Sequence, residues 1–302
     1  MLEKLPTEQP NPASASIDAL PTEEVLRVIN AEDRAVADAV GRELPAIARA
    51  VDAIVAAFRG GGRLFYIGAG TSGRIGVLDA SECAPTFGVP PDWVQGIMAG
   101  GEAALSHATE ATEDDRTMGA RDLLAHGFTS RDVLAGVAAS GRTPYVLGAV
   151  AEARKLGAVT VGISANPDSE LARAADIAIT PLTGPEVVAG STRLKAGTAQ
   201  KLVLNMLSTA AFIRMGYVYG NLMVNVEPKN AKLLDRARRI VAQAAGVSRQ
   251  AAAELLAAAG ENVAVAILMS KAKLTRDQAE RRLAEAGGRI SEALKNTEGI
   301  HG

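Results

Sequence analysis

Two segments of the chain place glycine and hydroxyl side chains where an apolar run gives way to a helical pattern. The first, Gly68-Ala69-Gly70-Thr71-Ser72-Gly73, follows the short run Leu64–Ile67. Glycines let a backbone approach an anion closely, and the first turn of a helix presents unpaired N–H groups to it. Gly70, Thr71 and Ser72 therefore suit a terminal phosphate, the two hydroxyls acting as additional donors. The spacing is formally G-x-G-x-x-G, the dinucleotide fingerprint. A dinucleotide site also wants an acidic residue at the end of the next strand to hold the ribose. That strand ends in Ala99-Gly100-Gly101, and the first acid, Glu102, falls in the loop or helix beyond it. The mismatch disfavours a nucleotide-dependent oxidoreductase and leaves a phosphate loop or an ordinary tight turn.

The second segment, Ala139-Ser140-Gly141-Arg142-Thr143, also follows an apolar run and precedes a helix opening at Pro144. An open α/β sheet binds its ligand at the carboxyl ends of its strands. Two such loops can face one phosphate if their strands are neighbours, which makes Ser72, Ser140 and Thr143 candidate phosphate donors, with Gly141 giving access. A third wall is Gly184-Pro185-Glu186-Val187-Val188-Ala189-Gly190-Ser191-Thr192, joining a strand to a long helix with Lys195 one turn inside. Glu186, Ser191 and Lys195 are site candidates there, although Ser191 or Thr192 can equally serve as the helix cap.

The carboxylates are harder to sort. Glu82 stands near the carboxyl end of the first helix, where the dipole disfavours an acid. Either some specific contact compensates or it is a solvated helix-end glutamate. Glu110, Glu113, Asp114 and Asp115 form a cluster that reads as a Mg²⁺ site or as a solvated helix face. His107, His126 and His301 lack zinc-ligand spacing, and Cys83 has no histidine partner in sequence, so no metal site is assigned.

The elements that must hold these residues alternate. Strands are expected at Leu64–Ile67, Val94–Met98, Val133–Ala138, Val159–Ile163 and Ile177–Ile179, separated by helices. That order predicts an α/β fold, a doubly wound parallel sheet covered on both faces. Asn30 is a candidate cap for a helix to Gly41, and a second helix carries Leu44, Ile47, Val51, Ile54, Val55 and Phe58 up to Gly60. A long helix runs from about Thr192 to Met215. Residues 1–21, with Pro6, Pro10, Pro12 and Pro21, read as an extended arm, expected to pack on a partner subunit. Residues 22–225 form the α/β domain and 240–302 a small helical domain, with Ser248 as one cap and Thr275 with Gln278 as a capping box.

Composition narrows the function classes. The 302 residues carry a net charge of −2 and only 3% aromatics, which offers no basic footprint or stacking platform for nucleic acid. The longest apolar runs are too short to span a membrane. A single cysteine allows no intrachain disulfide, and the start lacks a basic, apolar leader, so the cytoplasm is expected.

The blocks Gly68–Gly88 (GAGTSGRIGVLDASECAPTFG), Ala138–Tyr145 (AASGRTPY), Gly184–Met206 (GPEVVAGSTRLKAGTAQKLVLNM) and Gly220–Val226 (GNLMVNV) closely resemble the N-acetylmuramic acid 6-phosphate etherase family. Thr7, Glu8, Asn11, Ser14, Ile17 and Asp18 of the arm match its spacing too, and no departure stands at these positions. The resemblance covers essentially the whole chain. It implies a sugar isomerase-type (SIS) domain in a homodimer, a C-terminal bundle of ubiquitin-associated type, and a small-molecule sugar phosphate as partner. It implies cleavage of the lactyl ether to N-acetylglucosamine 6-phosphate and D-lactate, without cofactor. By the same resemblance Glu82 is the catalytic proton donor and Glu113 the second active-site carboxylate. In the open-chain sugar C3–O lies β to an aldehyde, so removal of the C2 proton expels lactate and water adds back. Each positioned carboxyl contributes about 10²–10⁴-fold to such steps. A donor at Glu82 should have its pKa raised by burial or a neighbouring anion. A sugar-phosphate isomerase or a non-catalytic sugar-phosphate sensor on the same fold is the alternative.

Overall fold

A computed structural model describes residues 6–106, 112–226 and 230–295. The chain divides into two compact units, one formed by Met1–Ser81 and Pro91–Thr209, the other by Glu82–Pro90 and Ala210–Gly302.

The arm is not extended. Residues 6–19 form three single 3-10 turns, Pro6–Glu8, Pro12–Ser14 and Ile17–Ala19, and Thr7, Asn11 and Ser14 are buried. The first long helix, α1 (Thr22–Gly41), begins at Thr22 rather than near Asn30. Pro21 precedes it, and Glu23 and Glu24 in its first turn suit the dipole, so the start needs no asparagine cap. Next, α2 (Leu44–Arg59) buries Ile47, Val51, Ile54, Val55 and Phe58 along one stripe and ends at Gly60, as its periodicity predicts, whereas Leu44 at its start is exposed.

The α/β alternation follows: β1 (Leu64–Gly68), α3 (Gly70–Phe87), β2 (Val94–Met98), α4 (Ala103–Ser106), α5 (Arg116–Ala125), β3 (Val133–Val137), α6 (Pro144–Lys155), β4 (Val159–Ile163), α7 (Glu170–Ala174), β5 (Ile177–Ile179) and α8 (Lys195–Met215). The five strands are all parallel, in the order β2-β1-β3-β4-β5. β1 and β3 are buried at every position, which is why they read as continuous apolar runs. Phe65, Ile67 and Leu134 pack with Val146, Leu147 and Val150 of α6 in one core. The order changes direction at β1 and β3, the switch point where such sheets open a crevice.

The second unit holds a two-stranded antiparallel hairpin, β6 (Val218–Tyr219) and β7 (Leu222–Met223), that the sequence pattern does not announce. Five helices follow: α9 (Ala231–Ala245), α10 (Arg249–Ala258), α11 (Val263–Ala272), α12 (Arg276–Glu285) and α13 (Ile290–Lys295). Ser248 caps α10, and Thr275 with Gln278 forms the expected capping box of α12. The bundle has its own core, including Val241, Leu256, Val265, Ile267 and Leu268. Among the described residues no single helix is long and apolar enough to cross a membrane.

Candidate active site

Strand register sets the two hydroxyl-bearing loops side by side. Gly68 at the end of β1 pairs with Val137 at the end of β3, so both chains leave the sheet at one level. A Cβ on Gly68 would stand 2.6 Å from the Gly73 nitrogen, so the turn into α3 closes this tightly only with glycine. Ser72, 8% exposed, donates its hydroxyl to Gln200 Oε1 at 3.0 Å. Thr71 packs beside Gly197 of α8.

The second loop is fastened from the β4 side. Ala139 O accepts from Ala165 N at 2.9 Å and from Asn166 Nδ2 at 2.9 Å, and Gly141 O accepts from Leu171 N at 2.9 Å. Gly141 has φ +65°, and a Cβ there would meet Ser169 Cβ at 2.3 Å, so backbone and space both demand glycine. Ser140 Oγ accepts from Arg142 N at 3.3 Å. Thr143 occupies the N-cap position of α6 but makes no side-chain cap, which leaves its hydroxyl to other uses.

Glu113 is drawn to this second loop through its backbone. Its carbonyl accepts from Tyr145 N at 3.0 Å, one of the first-turn donors of α6. Three features hold the Glu113 segment there. A Cβ on Gly119 would stand 1.9 Å from Tyr145 O and one on Gly148 1.9 Å from Arg116 O, so α5 and α6 touch backbone to backbone. The buried Tyr145 hydroxyl donates to Asp122 Oδ2 at 2.7 Å, and burial, then Asp122, push its pKa far above the usual tyrosine value. Asp115 caps α5, accepting from Thr117 N at 2.8 Å and Met118 N at 3.2 Å. Its bonds to Thr117 and Met118 hold its carboxyl below the usual range. One member of the acid cluster is thus a structural cap. Another, Glu110, lies with His107 and His301 outside the described residues. Among the described residues no three His, Cys, Asp or Glu side chains group as a metal site. Cys83 is buried and His126 exposed.

The third wall differs from expectation. α8 opens at Lys195, and its cap is neither Ser191 nor Thr192. Glu186, fully buried, accepts from Lys195 N and Ala196 N, both at 2.9 Å, one on each carboxylate oxygen. A carboxylate at a helix N-terminus makes charge-assisted bonds and meets the positive end of the dipole, which a hydroxyl cannot match. Glu186 is therefore committed to the helix. Lys195, 3% exposed, pairs with Glu32 Oε2 at 2.6 Å. The arm joins the same network. Asn11 Nδ2 donates to Glu32 Oε2 at 2.7 Å and to Pro185 O at 3.1 Å, and Ser14 Oγ donates to Val187 O at 2.7 Å. Lys195 and Asn11 together hold the Glu32 carboxyl below its usual pKa against the effect of burial. The arm thus docks on its own chain, against the segment Pro185–Val187.

Below Ser72 the interface of α3 and α8 carries a second polar pair that sequence reasoning missed. Asp79 accepts from Tyr66 Oη at 2.9 Å, and burial raises its pKa against the bonds from Tyr66 and Ser208 and the charge of Lys201. The available signal was spacing: Ser72 and Asp79 lie seven residues apart, on one face of α3. Glu82 sits further along the same helix and is exposed. A cavity of about 550 Å³ opens between β2 and α5, beside Thr112, Met118 and Asp122, but no residue of the two loops lines it.

Residues 46–154 match the glucokinase regulatory protein N-terminal SIS domain and residues 119–210 the SIS domain. An N-acetylmuramic acid 6-phosphate etherase of Aeromonas hydrophila subsp. hydrophila is 58% identical over 96% of this chain and 98% of its own. A second, N-acetylmuramic acid 6-phosphate etherase 2 of Vibrio parahaemolyticus, is 56% identical over 98% of each chain. A solved phosphoheptose isomerase from Francisella tularensis aligns with a TM-score of 0.49 at 22% identity, covering 63% of this chain and 98% of that one.

Proposed function

The chain belongs to the N-acetylmuramic acid 6-phosphate etherase family, and from that membership we propose how its residues divide the work. It is an enzyme that cleaves the lactyl ether of N-acetylmuramic acid 6-phosphate, a step in recycling cell-wall sugars. The observation that supports the site assignment is the level exit of β1 and β3 at the switch point, from which the loops bearing Ser72, Ser140 and Thr143 depart. The phosphate binds there, with Gly70, Thr71 and Gly141 lending access and amides. Ser191, half-buried, borders the sugar, while Glu186 and Lys195 act one step back by fixing the start of α8.

The reaction we assign is elimination followed by hydration, which makes the enzyme a carbon–oxygen lyase. In the open-chain sugar a base removes the proton at C2. The electron pair forms the C2–C3 double bond, and the C3–O bond breaks as the lactate oxygen takes a proton. Water then adds at C3, C2 regains a proton, and the products are N-acetylglucosamine 6-phosphate and D-lactate. Glu113, held at the first turn of α6, is the base, and Glu82 is the acid. Glu82 lies twelve residues past Gly70 in α3, about 18 Å along a helix. That exceeds the reach of a sugar whose phosphate sits at the helix start. We therefore assign the proton donor to the partner subunit's Glu82 in a homodimer, where an exposed side chain gains the burial its role requires. A phosphorylated substrate and one free, buried cysteine fit a cytoplasmic setting.

The test is lactate release by purified protein from the phosphorylated ether and from unphosphorylated N-acetylmuramic acid. Release from the first and poor turnover of the second is expected. An isomerase or a sensor would release no lactate, and equal turnover of both sugars would remove the phosphate cradle.

A further inference from the structure

Ser72, assigned above to the phosphate, is paired in the interior with Gln200, a residue that assignment leaves without a task. Gln200 stands in α8 and is 3% exposed. Its Oε1 receives the Ser72 hydroxyl at 3.0 Å, while its Nε2 finds no acceptor among the described residues. A serine hydroxyl has one hydrogen to give. While that hydrogen is spent on Gln200, Ser72 turns only lone pairs toward the loop, and lone pairs repel a phosphate dianion.

The two ends of a carboxamide are nearly the same size. A half-turn of the Gln200 amide sets Nε2 where Oε1 stands, so that Gln200 donates to Ser72 Oγ and the serine hydrogen is released. Each orientation leaves one end of the amide unpaired, so the protein alone favours neither strongly. A dianion in the loop favours only the second. We propose that Gln200 is a positioning residue whose amide half-turn reverses the Ser72 hydroxyl and makes the first loop a donor when a phosphate dianion binds. This rests on the phosphate cradle assigned above.

The probe is inorganic phosphate, titrated calorimetrically into the full chain, with kcat and KM on the phosphorylated ether as second readout. Gln200→Glu keeps an acceptor at Ser72 but has no donor to offer, so it locks the hydroxyl the wrong way. It should weaken phosphate binding about tenfold or more and raise KM with little change in kcat. Gln200→Leu neither accepts nor donates, frees the hydroxyl, and should bind phosphate more tightly than Gln200→Glu. In a Ser72→Ala background the Gln200→Glu effect should shrink by about fivefold, because only the added charge remains. In the unmutated protein, phosphate should shift the NMR signals of the Gln200 side-chain amide protons. If Ser72→Ala leaves phosphate affinity unchanged, the cradle itself is wrong. If Ser72→Ala weakens binding but Gln200→Glu costs the same in both backgrounds, or the amide signals do not move, the cradle stands and the relay is wrong.

Discussion

Asn11→Ala should loosen the third wall of the site from behind. The side chain gives one charge-assisted bond, to Glu32 at 2.7 Å, and one neutral bond, to Pro185 O at 3.1 Å, and accepts a third from Ala13 N at 2.9 Å. A bond to a charged group is worth about 1.5–3 kcal/mol and a neutral one about 0.5–1.5 kcal/mol. Glu32 keeps Lys195 after the change, and water regains part of the rest, so a local loss of about 2 kcal/mol is expected. The arm is a peripheral element, so this loss should appear as easier local opening rather than global unfolding. At about 1.4 kcal/mol per factor of ten, amide exchange in the arm and at Lys195 and Ala196 should quicken about 30-fold. Those two amides report the Glu186 cap directly. Ser14→Ala removes the bond to Val187 O and should quicken the same amides about fivefold. Unchanged exchange, with a weakened dimer in sedimentation, would refute this reasoning and return the arm to an intermolecular role.

Gly141→Ala should cost ~1–2 kcal/mol for the left-handed backbone, plus the overlap with Ser169, which caps α7. A lowered Tm together with lost phosphate affinity is expected; a variant with full affinity would show that the second loop does not cradle the phosphate. The Glu32 carboxyl, held below the ordinary 4.5 by Lys195 and Asn11, contributes stability that is complete above about pH 4.5 and lost as pH falls through its lower folded pKa. Glu32→Gln should lack that part of the acid-induced fall in Tm, and parallel curves for both proteins would show that the pair is idle.

What could be read in the sequence follows from what is local. β1 and β3 were legible because burial on both faces makes a strand an unbroken apolar run between turn residues. The two loops were legible because glycine and hydroxyl residues stand directly after those strands. The start of α1 was misread because Asn30, a good cap by type, sits inside a helix whose true start is marked by Pro21 and two glutamates. The α8 cap was missed because Glu186 reaches forward nine residues, beyond the window in which caps are recognised. The partners of Asn11 and Ser14, and Gln200 altogether, escaped for a deeper reason. Polar side chains in polar or helical stretches read as solvated, and only the fold reveals partners 21 to 174 residues away. The second compact unit also takes in Glu82–Pro90 and begins again at Ala210, positions that carry no compositional break.

The central claim is that the ether breaks at the sugar carbon through elimination and hydration driven by two glutamates, and isotope incorporation tests it most directly. Run in H₂¹⁸O, the reaction should place the label at C3 of N-acetylglucosamine 6-phosphate, while D-lactate keeps the ether oxygen and its configuration. Run in D₂O, the sugar should acquire deuterium at C2. Glu82→Gln should lower lactate release by about 10²-fold or more, and Glu113→Gln should slow both release and C2 exchange. Label found in lactate, with no deuterium at C2, would contradict the mechanism and leave Glu82 and Glu113 without the roles assigned to them.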